Sequence, residues 1–232
     1  MTPTSPVPTD GLADSPLPGD APRRRRKEAR PQELLDAALQ LFVEKGFAAT
    51  KMDDVASRAG VSKGTVYLYF PSKEELLKAV IRRNLSLTIA EGDDALSRFD
   101  GPTAELLHLL ARQWWERVGE TQASGIFKLI ITEVRNFPDL AQFYAEEVIE
   151  PGRRLVTKLL QRGIDRGEFR PVPLLDTAHA LIFPMLMLCL HKHSVGACAI
   201  GDEVTSDPRS FIDHHIDLLL HGLHRAPGTA QR

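Results

Sequence analysis

Lys63, Gly64 and Thr65 place a cation, a stretch of bare backbone and a hydroxyl-bearing side chain at the mouth of a short predicted helix. That set suits the edge of a base pair. An ammonium can donate to acceptors in a major groove, glycine lets the backbone come close, and threonine offers a hydrogen bond or its methyl to thymine. Tyr67 and Tyr69 follow on the same helix, with hydroxyls able to reach phosphates while their rings pack on the scaffold.

Other reactive side chains form weaker patterns. Cys189, His191, His193 and Cys198 are close in sequence, but helical positions two apart point to different faces, so no metal site is expected. His214, His221 and His224 share a helical face at spacings of seven and three. That face suits a structural or solvent-facing role, with pH-sensitive association as the functional alternative. Glu133, Glu146, Glu147 and Glu150 fall on predicted helices without a discernible partner. There is no phosphate-binding Gly-rich loop, no nucleophile elbow and no HExxH helix, so neither an enzyme nor a cofactor is expected.

The elements that must position Lys63–Thr65 carry their own marks. Leu34, Leu35, Ala38, Leu41 and Phe42 recur at spacings of three and four, giving an apolar stripe on a first helix that starts near Pro31 and stops at Gly46. A second helix starts at Thr50, with Asp53 in a capping-box position, and ends at Gly60. Ser62 caps the third helix, Pro71 stops it, and Ser72 with Glu75 forms a capping box for a fourth. Two short helices joined by Ala59-Gly60-Val61-Ser62 make a helix-turn-helix, in which Val61 plugs the angle. Further helices are predicted at roughly 73–98, 102–118, 123–136, 138–167, 174–194 and 208–223, separated by turn chemistry such as Asp100-Gly101-Pro102. No segment alternates as a strand does, so the fold class is all-α.

The 232 residues carry a net charge of −2. Residues 22–82 hold thirteen Lys/Arg against eight Asp/Glu, and residues 83–232 hold sixteen against twenty. A basic segment on an acidic body fits a polyanionic partner that touches only the first segment. Residues 1–27 read as a disordered tail ending in the basic arm Arg23–Lys27. Two cysteines are too few for a disulfide framework, and no run approaches the ~20 apolar residues that span a bilayer, so a cytoplasmic protein without a membrane partner is expected.

The run from Leu34 to Phe42, then Lys45 to Thr50, resembles the first helix of TetR/AcrR-family regulators. Asp54 to Leu76, which contains Ala59-Gly60-Val61-Ser62-Lys63-Gly64-Thr65-Val66-Tyr67, is similar to that family's signature almost position by position. The resemblance implies a helix-turn-helix DNA-binding domain over 28–74 and a helical effector-binding and dimerisation domain over 75–232. It also implies that Lys63, Gly64 and Thr65 face bases, and that Tyr67, Tyr69, Lys73 and Thr50 meet phosphates. Leu68 occupies another groove-facing position but is apolar. The implied activity is repression at a double-stranded operator, relieved by a small-molecule effector.

The later helices fit that outline. Leu174 to Leu190 is apolar on most faces, as is the helix from Phe211 to Leu223, which suits pairing of the last two helices with a second copy. Trp114, Trp115, Phe127, Ile131, Phe143 and Phe183, with Ile130 and Tyr144, lie on helices able to wall a pocket for a hydrophobic or aromatic effector. Plain core packing is the alternative for each. A helical interaction module without sequence-specific DNA binding is the competing function class.

Overall fold

The computed structural model describes residues 21–198 and 207–223, with only the backbone course for 21–30. No β-strand occurs among the described residues. The first four helices are α1 (Ala21–Lys45), α2 (Met52–Arg58), α3 (Lys63–Tyr69) and α4 (Lys73–Ile81). Leu34, Ala38, Leu41 and Phe42 on α1 are buried together with Val55, Val66, Leu76 and Leu77, so the stripe read from spacing is the core of this unit. Exposed ion pairs cross-link it: Arg58 to Glu44 at 2.9 Å, and Arg83 to Asp36 at 3.0 Å. Solvent screens such exposed pairs and leaves them little net effect, so apolar burial holds the unit together.

α1 starts at Ala21 and passes through Pro31, so Arg23–Lys27 continue a helix instead of forming an unstructured arm. The Arg, Lys, Glu and Ala there are good helix formers, which offsets the one hydrogen bond that proline removes. Residues 1–20 of the expected tail lie outside the described residues. α2 begins at Met52, not at Thr50: Asp54, not Asp53, accepts from the Lys51 backbone N–H at 3.3 Å. At α4, the Ser72 hydroxyl accepts from the Glu75 N–H at 3.2 Å, while the Glu75 carboxylate pairs with Lys78.

Behind this unit lie α5 (Leu87–Arg98), α6 (Thr103–Trp114), α7 (Gly125–Glu133), α8 (Pro138–Tyr144), α9 (Glu150–Asp165), α10 (Leu174–Lys192) and α11 (Pro208–Leu223). π-helical turns at Arg82–Ser86, Trp115–Gly119 and Ala145–Ile149 extend or join these helices. α4 and α5 thus form one rod across both parts of the chain, and the boundary expected at residue 74 falls in its first turn. Phe47 packs edge-on against Phe137 with ring centres 4.8 Å apart, and Arg82 lies 4.7 Å over the Phe143 ring, which fastens the first unit to the second.

Candidate nucleic-acid interface

α2 ends in a turn that aims α3. The Gly60 N–H donates to the Ser57 carbonyl at 3.2 Å and the Val61 N–H to Ala56 at 2.9 Å. That pair of bonds requires a left-handed residue, and Gly60 has φ +65°. The Ser62 hydroxyl then accepts from the Thr65 N–H at 3.2 Å, which fixes where α3 begins.

The row presented outward by α3 is Lys63, Gly64, Tyr67 and Leu68, all exposed, with Leu68 at 77%. Thr65 is half-buried, and its hydroxyl lies 2.8 Å from that of Ser62. A side chain at Gly64 would meet nothing closer than the Ser62 hydroxyl at 3.9 Å, so the chain itself imposes no steric need for glycine there. The Lys63 ammonium sits 2.8 Å from Asp53 on α2, and this carboxylate raises the lysine's pKa. Tyr67 is 44% exposed, so it is not a core aromatic; Tyr69 is half-buried.

Two residues assigned to phosphate contacts are engaged within the chain. Thr50 is 1% exposed, and its hydroxyl points inward to the carbonyls of Gly46 at 2.7 Å and Leu41 at 3.2 Å. The Lys73 ammonium donates to the carbonyls of Phe47 at 2.7 Å and Ala48 at 3.2 Å, so it closes the turn after α1. Sequence reasoning missed both roles, because neither acceptor is visible in a spacing pattern. It also missed Asp53 as the partner of Lys63.

The six aromatic and aliphatic residues assigned to an effector pocket do not form one wall. Trp114, Trp115 and Phe127 cluster, with ring centres 5.9 Å apart for Trp114 and Phe127 and 6.5 Å for the two tryptophans. Phe143 packs instead under Lys78 and Arg82. Ile131 is 60% exposed and Phe183 59% exposed, so both face outward. Ile130 and Tyr144 are buried. Trp114 lines a cavity of about 330 Å³ with Thr88, Gly92, Ala95, Leu110 and Leu155; ion pairs Glu91–Arg117 and Asp94–Arg98 stand at the same cavity. Trp115 lines a cleft of about 300 Å³ beside Arg112, Arg209 and Asp213.

α10 continues through Pro184, and Leu174–Cys198 is, by length and composition alone, apolar enough to cross a membrane, contrary to the expectation that no run approaches that length. Little of this segment is buried within the chain, and Leu175, Phe183 and Met187 are exposed, as is Leu218 on α11. Cys189 is buried, which pushes its thiol up to about 12, while Cys198 is exposed. His193 bonds to Ser124 at 2.7 Å. His214 and His221 are exposed, and His224 lies outside the described residues.

Comparison with known proteins agrees with this geometry. Residues 34–80 match the model of bacterial regulatory proteins of the tetR family, and residues 100–196 match a tetracyclin repressor-like C-terminal domain. YfiR, an HTH-type transcriptional regulator of Bacillus subtilis, is 33% identical over 156 residues, spanning 66% of this chain and 75% of its own. The HTH-type transcriptional repressor KstR2 of Mycolicibacterium smegmatis is 28% identical over 177 residues, 76% of this chain and 85% of its own. The fold is shared with the fatty acid degradation regulator FadR of Bacillus halodurans, with a TM-score of 0.69 and 22% identity over 84% of this chain and 97% of that one. The chain belongs to the tetR family of bacterial regulatory proteins, and it is a DNA-binding transcriptional regulator.

Proposed function

We propose that this regulator is a cytoplasmic homodimer that represses transcription at a short palindromic operator and releases it when a small hydrophobic or aromatic effector binds. The observation that carries the DNA-reading part is the solvent-facing row Lys63, Gly64, Tyr67 and Leu68 on a helix aimed by the Gly60 turn. Lys63, Gly64 and Thr65 enter the major groove, and Tyr67 and Tyr69 reach flanking phosphates. Lys73 keeps one ammonium N–H for a phosphate after serving two carbonyls. Thr50 contributes by shaping the turn before α2, not by its hydroxyl.

Dimerisation through α10 and α11 is supported by their uncovered apolar residues. α10 also packs against α7, α9 and α11, and the Lys192 ammonium at its end donates to the carbonyls of Gly119, Glu120 and Thr121. These contacts favour a bundle in water over a bilayer span. Two copies joined there set two α3 helices against half-sites about one turn of DNA apart. The Trp114 cavity is within the size range of small-ligand sites and is the proposed effector site. An effector acts only through its greater affinity for the conformation that mismatches the operator.

The test is a titration against the DNA upstream of the protein's own gene, with unrelated duplex as competitor, followed by a screen of apolar and aromatic compounds. Binding that survives the competitor and is weakened by one compound class is the expected result. Equal loss to any competitor there and at sites selected from a random-sequence pool would overturn specific recognition.

A further inference from the structure

The base-facing lysine is not free before DNA arrives. Its ammonium lies 2.8 and 3.1 Å from the two carboxylate oxygens of Asp53, which projects from the first turn of α2. Both side chains are 59% exposed, and the lysine also lies 6.0 Å from the Tyr67 ring centre. The neighbouring Asp54 is otherwise occupied, by Lys45 and by the Lys51 N–H. Asp53 is therefore a carboxylate on the outward face of a unit that binds a polyanion, and Lys63 is its ion-pair partner.

We infer that Asp53 is a specificity-determining residue, holding Lys63 in one place and cancelling its attraction for phosphates, so that the lysine adds to base reading and little to sequence-independent binding. This rests on the proposed reading of Lys63 as a base contact. A free lysine is a mobile point charge on a four-carbon stem, and it lowers its energy against any phosphate. Held by Asp53, it is one half of a pair of zero net charge. It loses less freedom on reaching a groove-edge acceptor, because part of the ordering is already done. The ammonium has three N–H groups, so it can keep one on Asp53 while donating to guanine O6 or N7. Moving it to a phosphate instead would leave the carboxylate unpaired beside the duplex.

The experiment uses the full-length protein and two duplexes: one enriched by the wild-type protein from a random-sequence pool, and one unrelated duplex. Fluorescence anisotropy over a salt series gives affinity and salt slope for wild type, Asp53→Asn, Asp53→Glu, Lys63→Gln and Asp53→Asn/Lys63→Gln. In Asp53→Asn, affinity for unrelated DNA rises at least threefold. Its salt slope steepens by up to about 0.9 per protomer docked, one more phosphate each. The ratio of enriched to unrelated affinity falls about tenfold, and Asp53→Glu restores most of it. In the Lys63→Gln background, Asp53→Asn changes the ratio by less than twofold. An unchanged ratio and slope in Asp53→Asn, or an undiminished effect of Asp53→Asn without Lys63, overturns the inference. If Lys63→Gln alone leaves the enriched-site affinity intact, the base-contact reading itself has failed, which is a separate outcome.

Discussion

The Lys73 ammonium donates to the Phe47 carbonyl at 2.7 Å and stands 4.5 Å from the centre of that residue's ring. One side chain at the start of α4 thereby closes the turn after α1, while the Phe47 ring meets Phe137 in the second unit. A lysine that resembles a phosphate contact in sequence is thus first a clamp between α1, α4 and the rest of the molecule.

Lys73→Ala leaves two carbonyls without this donor. Its expected cost is about 1–3 kcal/mol, or about 2–4 °C in Tm for each kcal/mol in a chain of this size. Lys73→Met, which keeps the stem over Phe47, costs less than Lys73→Ala. Thermal unfolding checks both, and an unchanged Tm in Lys73→Ala would show that the clamp contributes nothing.

Gly64→Ala separates folding from binding. Nothing within the chain opposes a methyl there, and alanine is favoured over glycine in a helix by up to about 1 kcal/mol. The variant is expected to hold or raise Tm while weakening operator binding at least tenfold, because backbone approach to the duplex is blocked. Operator binding at wild-type strength would move Gly64 away from the DNA.

Exposed apolar residues on α10 and α7 predict opposite outcomes. Phe183→Glu and Met187→Glu place charge on the proposed seam, so sedimentation should give a monomer and operator affinity should fall by about a hundredfold or more. Ile131→Glu, at a position 60% exposed on α7, should leave both unchanged. A dimer that survives Phe183→Glu combined with Met187→Glu would place the interface elsewhere.

His193 gives a pH signature. Ser124 donates to the Thr121 carbonyl at 2.7 Å, so the imidazole Nε2–H donates to the Ser124 hydroxyl oxygen. Desolvation, and then the charges of Lys192 and Lys128, hold the His193 pKa below its ordinary 6.5. The unfolded chain therefore binds the extra proton first. The stabilisation is complete above about pH 6.5 and is lost as the pH falls from there towards the lowered pKa. Tm should drop more between pH 7.5 and 5.5 in wild type than in His193→Gln. His215, lowered chiefly by burial, acts in the same sense in both proteins. Equal drops would show that His193 does not set this pH dependence.

Much of the DNA-reading unit was legible because its boundaries are local chemistry. Gly46 and Gly60 have φ +84° and +65°, and Ser62 and Ser72 accept the bonds that their positions predict. Thr50 was misread because a threonine before a helix can cap it or turn inward, and only the packed turn decides. Which apolar side chains line a cavity was illegible for a different reason. α7 and α10 are so apolar that spacing does not tell which face is covered, and Ile131 and Phe183 lie on the uncovered one. The π-helical turns add to this, since each shifts the faces that follow out of the 3.6-residue period. Asp53 could be found only by its distance from Lys63.

We propose above all that α3 reads bases. The most direct test compares wild type with Thr65→Val and Lys63→Gln on a duplex enriched from a random-sequence pool and on unrelated DNA at one salt concentration. Both variants are expected to lose about 1–3 kcal/mol on the enriched site, roughly 5- to 150-fold, with much smaller changes on unrelated DNA. Equal changes on both duplexes, or none on either, would contradict it.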